Sequence, residues 1–438
     1  MIAPSLPWSW SEFLIGDDDQ DHAYEDPTAT PRNLTIFGVW SFFVGLAVVG
    51  SASKLVRLNI GDLLVHPYLF PVAIVAPILL LTQIHRFPVK TLAAMLIFLA
   101  TFVASTVSVS EPPMEIGELL RMIASITAIV VIALSIRSER DFVFGVLGLI
   151  LAVGLMAFMS LQEDKDSVGA VRNALDTGNK NAYSLYALPA ILVAGYVVVL
   201  LPKTTWLVKI PLIVSILLSL VVIFTSANRS GYVGAVLIAG MLFWQRKGLG
   251  LIIVLGLSIG LFYVMQNFTG TAVLDRRLEE TRQGLKSDDL RKALIANAFE
   301  LGVENPFLGI SPQKLPWELG LRTVSEFDHR IIDSHNVFAY VIGGSGLICF
   351  AAFLYWGWSL WRIAPGAQRT KEMTSDFRSA RNLMRMMLIL YVIRGMFTRE
   401  ILYNPGFVIS IGLTIGWCIV TKEASAKRIS APDEEWAY

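Results

Sequence analysis

The sequence predicts an all-α polytopic membrane protein with about twelve transmembrane helices and one long, partly helical external loop. Of the 438 residues, 54% are hydrophobic and only 16% are charged, whereas an average soluble protein is about 25% charged. The hydrophobic residues also lie in blocks of roughly 20, the length that a helix needs to cross the ~30 Å hydrocarbon core of a bilayer. Soluble enzyme folds are therefore excluded.

Twelve apolar segments are predicted to span the membrane. They cover residues 34–52, 63–82, 89–109, 118–136, 142–160, 181–201, 206–226, 231–245, 249–267, 336–361, 383–398 and 403–421. The domains follow: an acidic tail at 1–33, spans one to nine at 34–267, a long loop at 268–335, spans ten to twelve at 336–421, and a tail at 422–438. The first tail lacks the basic start and apolar core of a signal peptide, so we predict that it is disordered and is not cleaved.

The distribution of lysine and arginine predicts the orientation. With the N-terminus inside, the cytoplasmic segments hold eighteen Lys and Arg residues and the short outer loops hold seven. Positive charge concentrates on the cytoplasmic side of membrane proteins. Both termini are therefore predicted to be cytoplasmic.

The loop at 268–335 is polar, and its sequence predicts a folded, amphipathic structure against the outer surface of the bundle. Ser287 and the two aspartates after it are typical of a helix start, where acidic groups face the positive end of the dipole. The segment Asn-Pro-Phe-Leu-Gly-Ile at 305–310 would end that helix. Apolar residues recur between them at helical spacing: Leu290, Leu294, Ala298 and Leu301.

Polar groups that are able to carry chemistry collect on the predicted external side. They are Arg172, Lys180, Arg229, Arg282, Arg291 and His335, with Arg276, Arg277, Lys292, Arg322 and Arg330 also in the long loop. Guanidinium groups match phosphate oxygens and keep their charge when partly desolvated. A single histidine with an ordinary pKa of about 6.5 is suited to take a proton from a hydroxyl nucleophile. This pattern favours a lipid-linked anionic substrate.

Structural roles are the alternatives for each of these groups. An arginine at a helix end often anchors the chain at lipid headgroups, and a lone histidine at a span boundary is often structural. Arg229 lies between apolar segments, where a charge is costly unless it is paired or functional. Arg121 and Arg394 are candidate buried partners of Glu118 and Glu400.

The small residues point to packing. The predicted role of Gly343, Gly344 and Gly346 is to let helices approach closely. Cys349 and Cys418 both lie in apolar blocks and are predicted to be small buried residues. No His/Cys cluster has metal-ligand spacing, so we expect neither a metal nor a cofactor.

Three segments resemble the O-antigen ligase and polymerase superfamily, whose members are membrane glycosyltransferases that use undecaprenyl-pyrophosphate-linked glycan. These segments are TSANRSGYVGAVLIAG, NPFLGI and SHNVFAYVIGGSGLI. The ligase pattern of His-Asn, nine residues and a glycine is matched by His335, Asn336 and Gly346, while Cys349 departs from its last position. Arg229 with ten residues and Gly240 is similar to a polymerase pattern.

The resemblance implies a metal-independent, inverting transfer of glycan at the outer face of the bacterial inner membrane. His335 would act as general base, and Arg229 and Arg291 would hold the donor pyrophosphate. Arg172, Lys180, Arg282 and Asn336 would assist in binding the substrate. The implied partners are the polyprenyl-pyrophosphate donor, a lipid or glycan acceptor and membrane lipids, without nucleic acid.

The resemblance leaves ligase, polymerase and protein O-glycosylating activities open, and the His335–Gly346 pattern favours the ligase. Outside the superfamily, a secondary transporter with twelve spans is the main alternative. Transporters usually place ionisable groups or broken helices at the bilayer midplane. Here the polar groups lie at one surface and no internal repeat is evident, which disfavours a transporter.

Overall fold

The computed structural model describes residues 34–52, 58–60, 63–108, 116–162, 182–201, 204–225, 229–245, 286–323, 334–363 and 375–430. Helices dominate this part of the chain, as predicted, and one antiparallel hairpin pairs β1 (Leu58–Ile60) with β2 (Leu63–Val65). The ninth predicted span at 249–267 and the tail at 1–33 lie outside the described residues.

The first nine helices follow the predicted apolar segments. They are α1 (Ile36–Leu46), α2 (Val48–Ala52), α3 (Leu69–Gln83), α4 (Val89–Ser108), α5 (Ile116–Ser135), α6 (Glu139–Gln162), α7 (Ala182–Leu200), α8 (Trp206–Thr225) and α9 (Arg229–Gln245). The remaining helices are α10 (Lys286–Glu304), α11 (Leu315–Thr323), α12 (Val337–Trp361), α13 (Ser375–Gly395) and α14 (Pro405–Ser430). Single 3-10 turns lie at Ile84–Arg86 and Glu400–Leu402.

Eight helices in the described part of the chain are long and apolar enough to cross a membrane, namely α3 to α8, α12 and α14. Shorter apolar helices lie at Ile36–Ser51 and Ser230–Trp244. The chain is therefore a multi-pass membrane protein, and the count of twelve spans stays a prediction.

Three predicted span boundaries differ clearly from the helices, one of them the start of α13 at Ser375 instead of residue 383. Residues 63–65 form β2, and helix α3 begins only at Leu69. Pro67 explains the delay, because proline lacks an N–H and disfavours a helical conformation in the residue before it. At the other terminus, α14 continues to Ser430, so the predicted tail at 422–438 begins as an extension of the last helix.

One end of the bundle is held by charged and capping contacts, and we call it the basic end. Arg86 donates two hydrogen bonds of 2.9 Å to the Glu423 carboxylate. Buried Asp141 accepts from the backbone N–H of Thr35 at 2.8 Å and of Arg137 at 3.0 Å. These contacts join the start of α1 and the end of α3 to α5, α6 and α14. They lie on the side predicted to be cytoplasmic.

Helix α12 is broken at Gly346, where the backbone has φ +76°. Phe338 and Phe353 show how sharply it bends, because their ring centroids are 6.0 Å apart. A straight helix would separate positions fifteen residues apart by about 22 Å along its axis. The halves at 337–345 and 347–361 therefore fold back toward each other.

The break leaves helical backbone groups without their usual partners, and the chain after α10 supplies new ones. Ile310 and Ser311 donate backbone N–H groups to the carbonyls of Gly343 at 3.2 Å and Gly344 at 2.9 Å. The Leu347 N–H donates to the Pro306 carbonyl at 2.7 Å. Irregular backbone at membrane depth is tolerated only when its polar groups are satisfied within the protein. The segment at 305–310, which was predicted to end a helix, thus also contributes hydrogen-bond partners to the backbone on both sides of the break in α12.

Helix α10 lies where the sequence predicts a helix in the long loop, and it packs on the first half of α12. Leu294, Ala298 and Leu301 are buried, whereas Leu290 is exposed. A Cβ added to Gly343 would lie 2.6 Å from the Ala298 carbonyl oxygen. The prediction that this glycine permits close packing is confirmed.

A substitution at the break tests its importance for stability. A Cβ at residue 346 would lie 2.7 Å from both the Gly309 nitrogen and the Phe307 oxygen, and left-handed backbone alone costs a side-chain residue about 1–2 kcal/mol. We expect Gly346→Ala to lower the free energy of unfolding by more than this amount, as measured by tryptophan fluorescence in detergent. Gly357→Ala is the matched control on the same helix, because a Cβ there has no neighbour within 4 Å. An equal effect of the two variants would contradict the role of the break.

A surface ion pair predicts a pH dependence of the α10–α11 contact. Arg322 donates to Glu304 at 2.6 and 3.2 Å, and these hydrogen bonds lower the pKa of Glu304. The contribution to stability is therefore complete above the ordinary glutamate pKa of about 4.3 and is lost as the pH falls through the lower, folded value. We expect the protection factors of the α11 amides, which compare the observed exchange rate with the intrinsic rate at the same pH, to fall over that acidic range.

Two variants isolate the carboxylate that is responsible. Glu304→Gln should accelerate exchange in α11 at pH 7 and remove the acid dependence. Glu300→Gln should have a smaller effect, since the Glu300 carboxylate is 3.9 Å from Arg322. An unchanged acid dependence in Glu304→Gln would assign it to another group.

Candidate functional site

The end of the bundle opposite the basic end contains the starts of α9 and α12, where the sequence places the candidate residues Arg229 and His335. We define this site end by Glu118, Ser184, Ser230, Asn336 and Arg394. These residues place the starts of α5, α7, α9 and α12 beside the last turn of α13. The site end is the side that the charge distribution predicts to be external.

Arg394 is the most buried charged residue of the site end, with 0% of its surface exposed. Its guanidinium donates to the hydroxyl oxygens of Ser230 and, at 2.8 Å, Ser184. Its Nε has no hydrogen-bond acceptor, and none of the described carboxylates forms an ion pair with it. Arg394 therefore joins the first turns of α7 and α9 to α13, and within the described part of the chain it does not form the ion pair with Glu118 or Glu400 for which it was a candidate.

The carboxylate of Glu118 has a different cationic partner. Arg399, which follows α13, lies 3.4 Å from the Glu118 oxygen. Tyr340 on the second turn of α12 donates its hydroxyl to Glu118, and the Arg399 guanidinium lies 4.8 Å from the Tyr340 ring centroid. This cluster ties α5 to α12 and neutralises the carboxylate of Glu118, so that Glu118 is not available to Arg394.

His335 lies at the entrance to α12 and is exposed to solvent. It has φ +49°, a left-handed conformation that few residues other than glycine adopt. The conformation places His335 directly before Asn336, which caps the helix. The geometry leaves the imidazole at the surface of the site end, where a substrate has access to it.

Asn336 has a structural role that the sequence analysis did not predict. Its side-chain oxygen accepts from the N–H groups of Phe338 at 2.9 Å and Ala339 at 3.0 Å, which is the pattern of an N-cap. Its amide donates to the Met396 carbonyl at 3.4 Å. These three bonds fix the start of α12 to the end of α13 and so position His335, while a contact of Asn336 with substrate stays a prediction.

A short series of contacts brings Arg229 and His335 to the same end of the bundle. Arg229 is the first residue of α9; its backbone is described, and its side chain lies outside the described atoms. The next residue, Ser230, accepts a hydrogen bond from Arg394 on α13. Met396, two residues after Arg394, accepts a hydrogen bond from Asn336. The last turn of α13 therefore lies between the two segments.

Of the remaining residues predicted to contact the substrate, the structure describes only Arg291. Arg291 is exposed on α10 and makes no hydrogen bond or ion pair with any described residue. It precedes Leu294 and Ala298 by three and seven residues, so it lies on the same side of α10 as they do, on a turn where that side is exposed. Arg172, Lys180 and Arg282, like Arg276, Arg277 and Arg330, lie outside the described residues.

An apolar groove of about 370 Å³ runs between the second half of α12 and α13. Its walls include Phe353 and Trp356 from α12 and Ile393 from α13. Phe338, two residues after Asn336, also lines the groove. Because Ile393 directly precedes Arg394, an apolar channel adjoins the polar end of the bundle.

The sequence analysis missed the clusters that Arg394 and Arg399 form. The signal for Arg394 was present, because an arginine inside an apolar helix is costly and marks a functional or paired group. Its partners are serines from α7 and α9, more than 160 residues away in the chain. Serines are common in membrane helices, so their sequence gives no indication of this contact.

The comparison with known families agrees with the motifs. Residues 214–354 match the model of a family described as O-antigen ligase, and this segment contains both Arg229 and His335. The predicted relationship is confirmed, and it implies glycosyltransferase-like activity of the ligase or polymerase type on glycan and lipid-linked substrates. The search of curated proteins gives no match. Arg394 and Arg399 lie outside the matched segment.

The cap at Asn336 gives a testable prediction about stability. We expect Asn336→Ala to lower the free energy of unfolding by about 1 kcal/mol, because two N–H groups lose their acceptor. Asn336→Asp keeps the acceptor oxygen and serves as the matched control. Hydrogen exchange at Phe338 and Ala339 should accelerate in the alanine variant and stay slow in the aspartate variant. Equal protection in both variants would contradict the capping role.

Proposed function

We propose that this protein transfers glycan from a polyprenyl-pyrophosphate donor to an acceptor hydroxyl at the outer face of the inner membrane, in the manner of an O-antigen ligase. One observation carries the proposal. The start of α9 at Arg229 and the start of α12 at Asn336 are both attached to the last turn of α13 at one end of the bundle, and an apolar groove lies against the same helix. A donor with an anionic head and a hydrocarbon chain requires both environments in this order.

The proposed role of Arg229 and Arg291 is to bind the pyrophosphate. The leaving pyrophosphate gains negative charge as its bond to the sugar breaks. Fixed guanidinium groups therefore bind the transition state more strongly than the ground state, which is the condition for acceleration. Arg229 begins a helix, whose positive end adds to the same field.

His335 is the proposed general base. The exposed imidazole would take the proton of the acceptor hydroxyl as the oxygen attacks the anomeric carbon from the face opposite the phosphate. This single displacement inverts the anomeric configuration and needs no metal ion. The cap formed by Asn336 supports the role, because a base must be held at a fixed position.

The groove is suited to the donor's lipid. Its lining is apolar and includes Phe338 and Ile393, which are close in the chain to Asn336 and Arg394. A polyprenyl chain in the groove would bring its pyrophosphate to the site end without exposing hydrocarbon to water. An apolar groove beside the site favours a lipid-linked donor over a soluble sugar nucleotide, which has no hydrocarbon chain to place there.

Two substitutions test the assignment of roles. We expect His335→Ala to reduce transfer at least 100-fold, since general base catalysis contributes about 10²–10⁴, and Arg229→Ala to reduce it by a similar factor. Transfer is measured with purified protein, lipid-linked glycan and acceptor, after size-exclusion chromatography has verified folding. His85→Ala is the control, because His85 lies in the 3-10 turn beside Arg86 at the basic end. Parental activity in His335→Ala would exclude it as the base.

Ligase activity is favoured over polymerase activity by the description of the matched family together with the His335–Gly346 pattern. A deletion strain separates the two. Full-length glycan that stays on the carrier lipid is the result expected for a missing ligase. Single capped repeats on the cell surface would instead identify a polymerase.

A further inference from the structure

The proposed function does not explain why a fully buried arginine, Arg394, lies at the site end. It lies outside the segment that matches the family, yet it is the charged group at the junction of α7, α9 and α13. Burying an arginine without a carboxylate partner is costly, particularly in a membrane protein. An apolar side chain of similar volume would remove that cost, so helix packing alone does not explain why arginine occupies this position.

We propose that Arg394 is a positioning residue of the donor site, which holds Arg229 in place and supplies fixed positive charge for the donor's diphosphate. This inference rests on the proposed function for the identity of the donor. It deepens that function by adding a residue from α13, on which the family match has no information.

The hydrogen bonds of Arg394 support the positioning role. Two nitrogens of its planar group reach hydroxyls on two different helices, Ser184 on α7 and Ser230 on α9. Ser230 directly follows Arg229, so the guanidinium fixes the first turn of α9 against α13. A lysine ammonium has the same charge but lacks this rigid fork of donors. Arg394 therefore sets where the backbone of Arg229 lies relative to the last turn of α13.

The same turn also sets the other half of the site. The carbonyl of Met396, two residues after Arg394, accepts from the Asn336 amide. A shift of this turn would therefore move the starts of α9 and α12 together. One helix end thus determines the separation between the segment of the proposed pyrophosphate ligand and that of the proposed base.

The charge of Arg394 supports the electrostatic role. Glu118, the carboxylate that belongs to the site end, is already paired with Arg399 at 3.4 Å. The Nε of Arg394 has no acceptor, and the positive end of α9 lies beside its Ser230 contact. Positive charge thus accumulates where the donor's diphosphate is proposed to bind, and a bound anion would stabilise it. In surroundings of low polarity such a charge acts without direct contact.

Inorganic pyrophosphate is the probe for this inference. Thermal unfolding of the purified full-length protein is followed with increasing pyrophosphate at constant ionic strength. We expect Arg394→Met to weaken the pyrophosphate-dependent stabilisation at least 10-fold in apparent affinity, and Arg394→Lys to restore part of it. Arg378→Met is the matched control, because Arg378 is exposed on the first turn of the same helix and should titrate like the parent.

The outcomes separate a functional role from a structural one. If Arg394→Met only lowers the unfolding temperature without pyrophosphate and still titrates like the parent, Arg394 is structural and the inference is wrong. Absence of any pyrophosphate effect in the parent protein would also overturn it. Ser230→Ala gives a second measurement without removing the charge, and its effect on affinity should be smaller than that of Arg394→Met.

Transfer kinetics distinguish this inference from the proposed function. We expect Arg394→Met to raise the KM for the lipid-linked donor at least 10-fold and to leave the KM for the acceptor unchanged. If the parent transfers glycan and Arg394→Met has the parental donor KM, the inference fails and the proposed function stands. If the parent binds pyrophosphate through Arg394 but transfers no glycan, the proposed function fails and the anion site stands.

Discussion

The break of α12 at Gly346 is the constraint on which the geometry of the site end depends. A continuous helix would carry residues 337–345 straight on from residues 347–361, whereas the observed backbone turns them back toward Phe353. The turn is possible because the carbonyls of Gly343 and Gly344 find donors in the chain after α10. Without those donors, polar backbone would be unsatisfied within the apolar part of the protein. The long loop and the broken helix therefore form one structural unit, and His335 and Asn336 stand at its free end.

The two arginines at the site end differ in the groups that surround their positive charges. Arg399 lies beside a carboxylate and an aromatic ring, so its charge is locally compensated. Among the described residues, the hydrogen-bond acceptors of the Arg394 guanidinium are serine hydroxyls, which satisfy its donors without cancelling the charge. The first arrangement is typical of a structural tie between helices. The second leaves a positive potential at the start of α9, which is the property that a site for an anionic lipid headgroup needs.

The distribution of polar groups also bears on the transporter alternative. A broken helix near buried polar residues is a feature of transporters, and α12 is broken. Here, however, the carbonyls of Gly343 and Gly344 at the break accept backbone N–H groups from the segment after α10, which occupies them within the protein. The arginines and the exposed histidine lie at one end of the bundle, beside a groove with apolar walls. This asymmetry suits chemistry on a lipid at one membrane surface.

The sequence by itself determined the helical class, the positions of the long apolar helices, the helix in the long loop and the pairing of Arg229 with His335 as candidates. These properties follow from local hydrophobicity, helical periodicity and short motifs, all of which depend on residues that are close together in the sequence. Only the tertiary structure decided the bend at Gly346, the N-cap role of Asn336 and the partners of Arg394 and Arg399. Each of these depends on groups that are distant in the chain and come into contact only when the helices pack. The sequence around a serine or a backbone carbonyl does not indicate which distant donor will form a hydrogen bond with it.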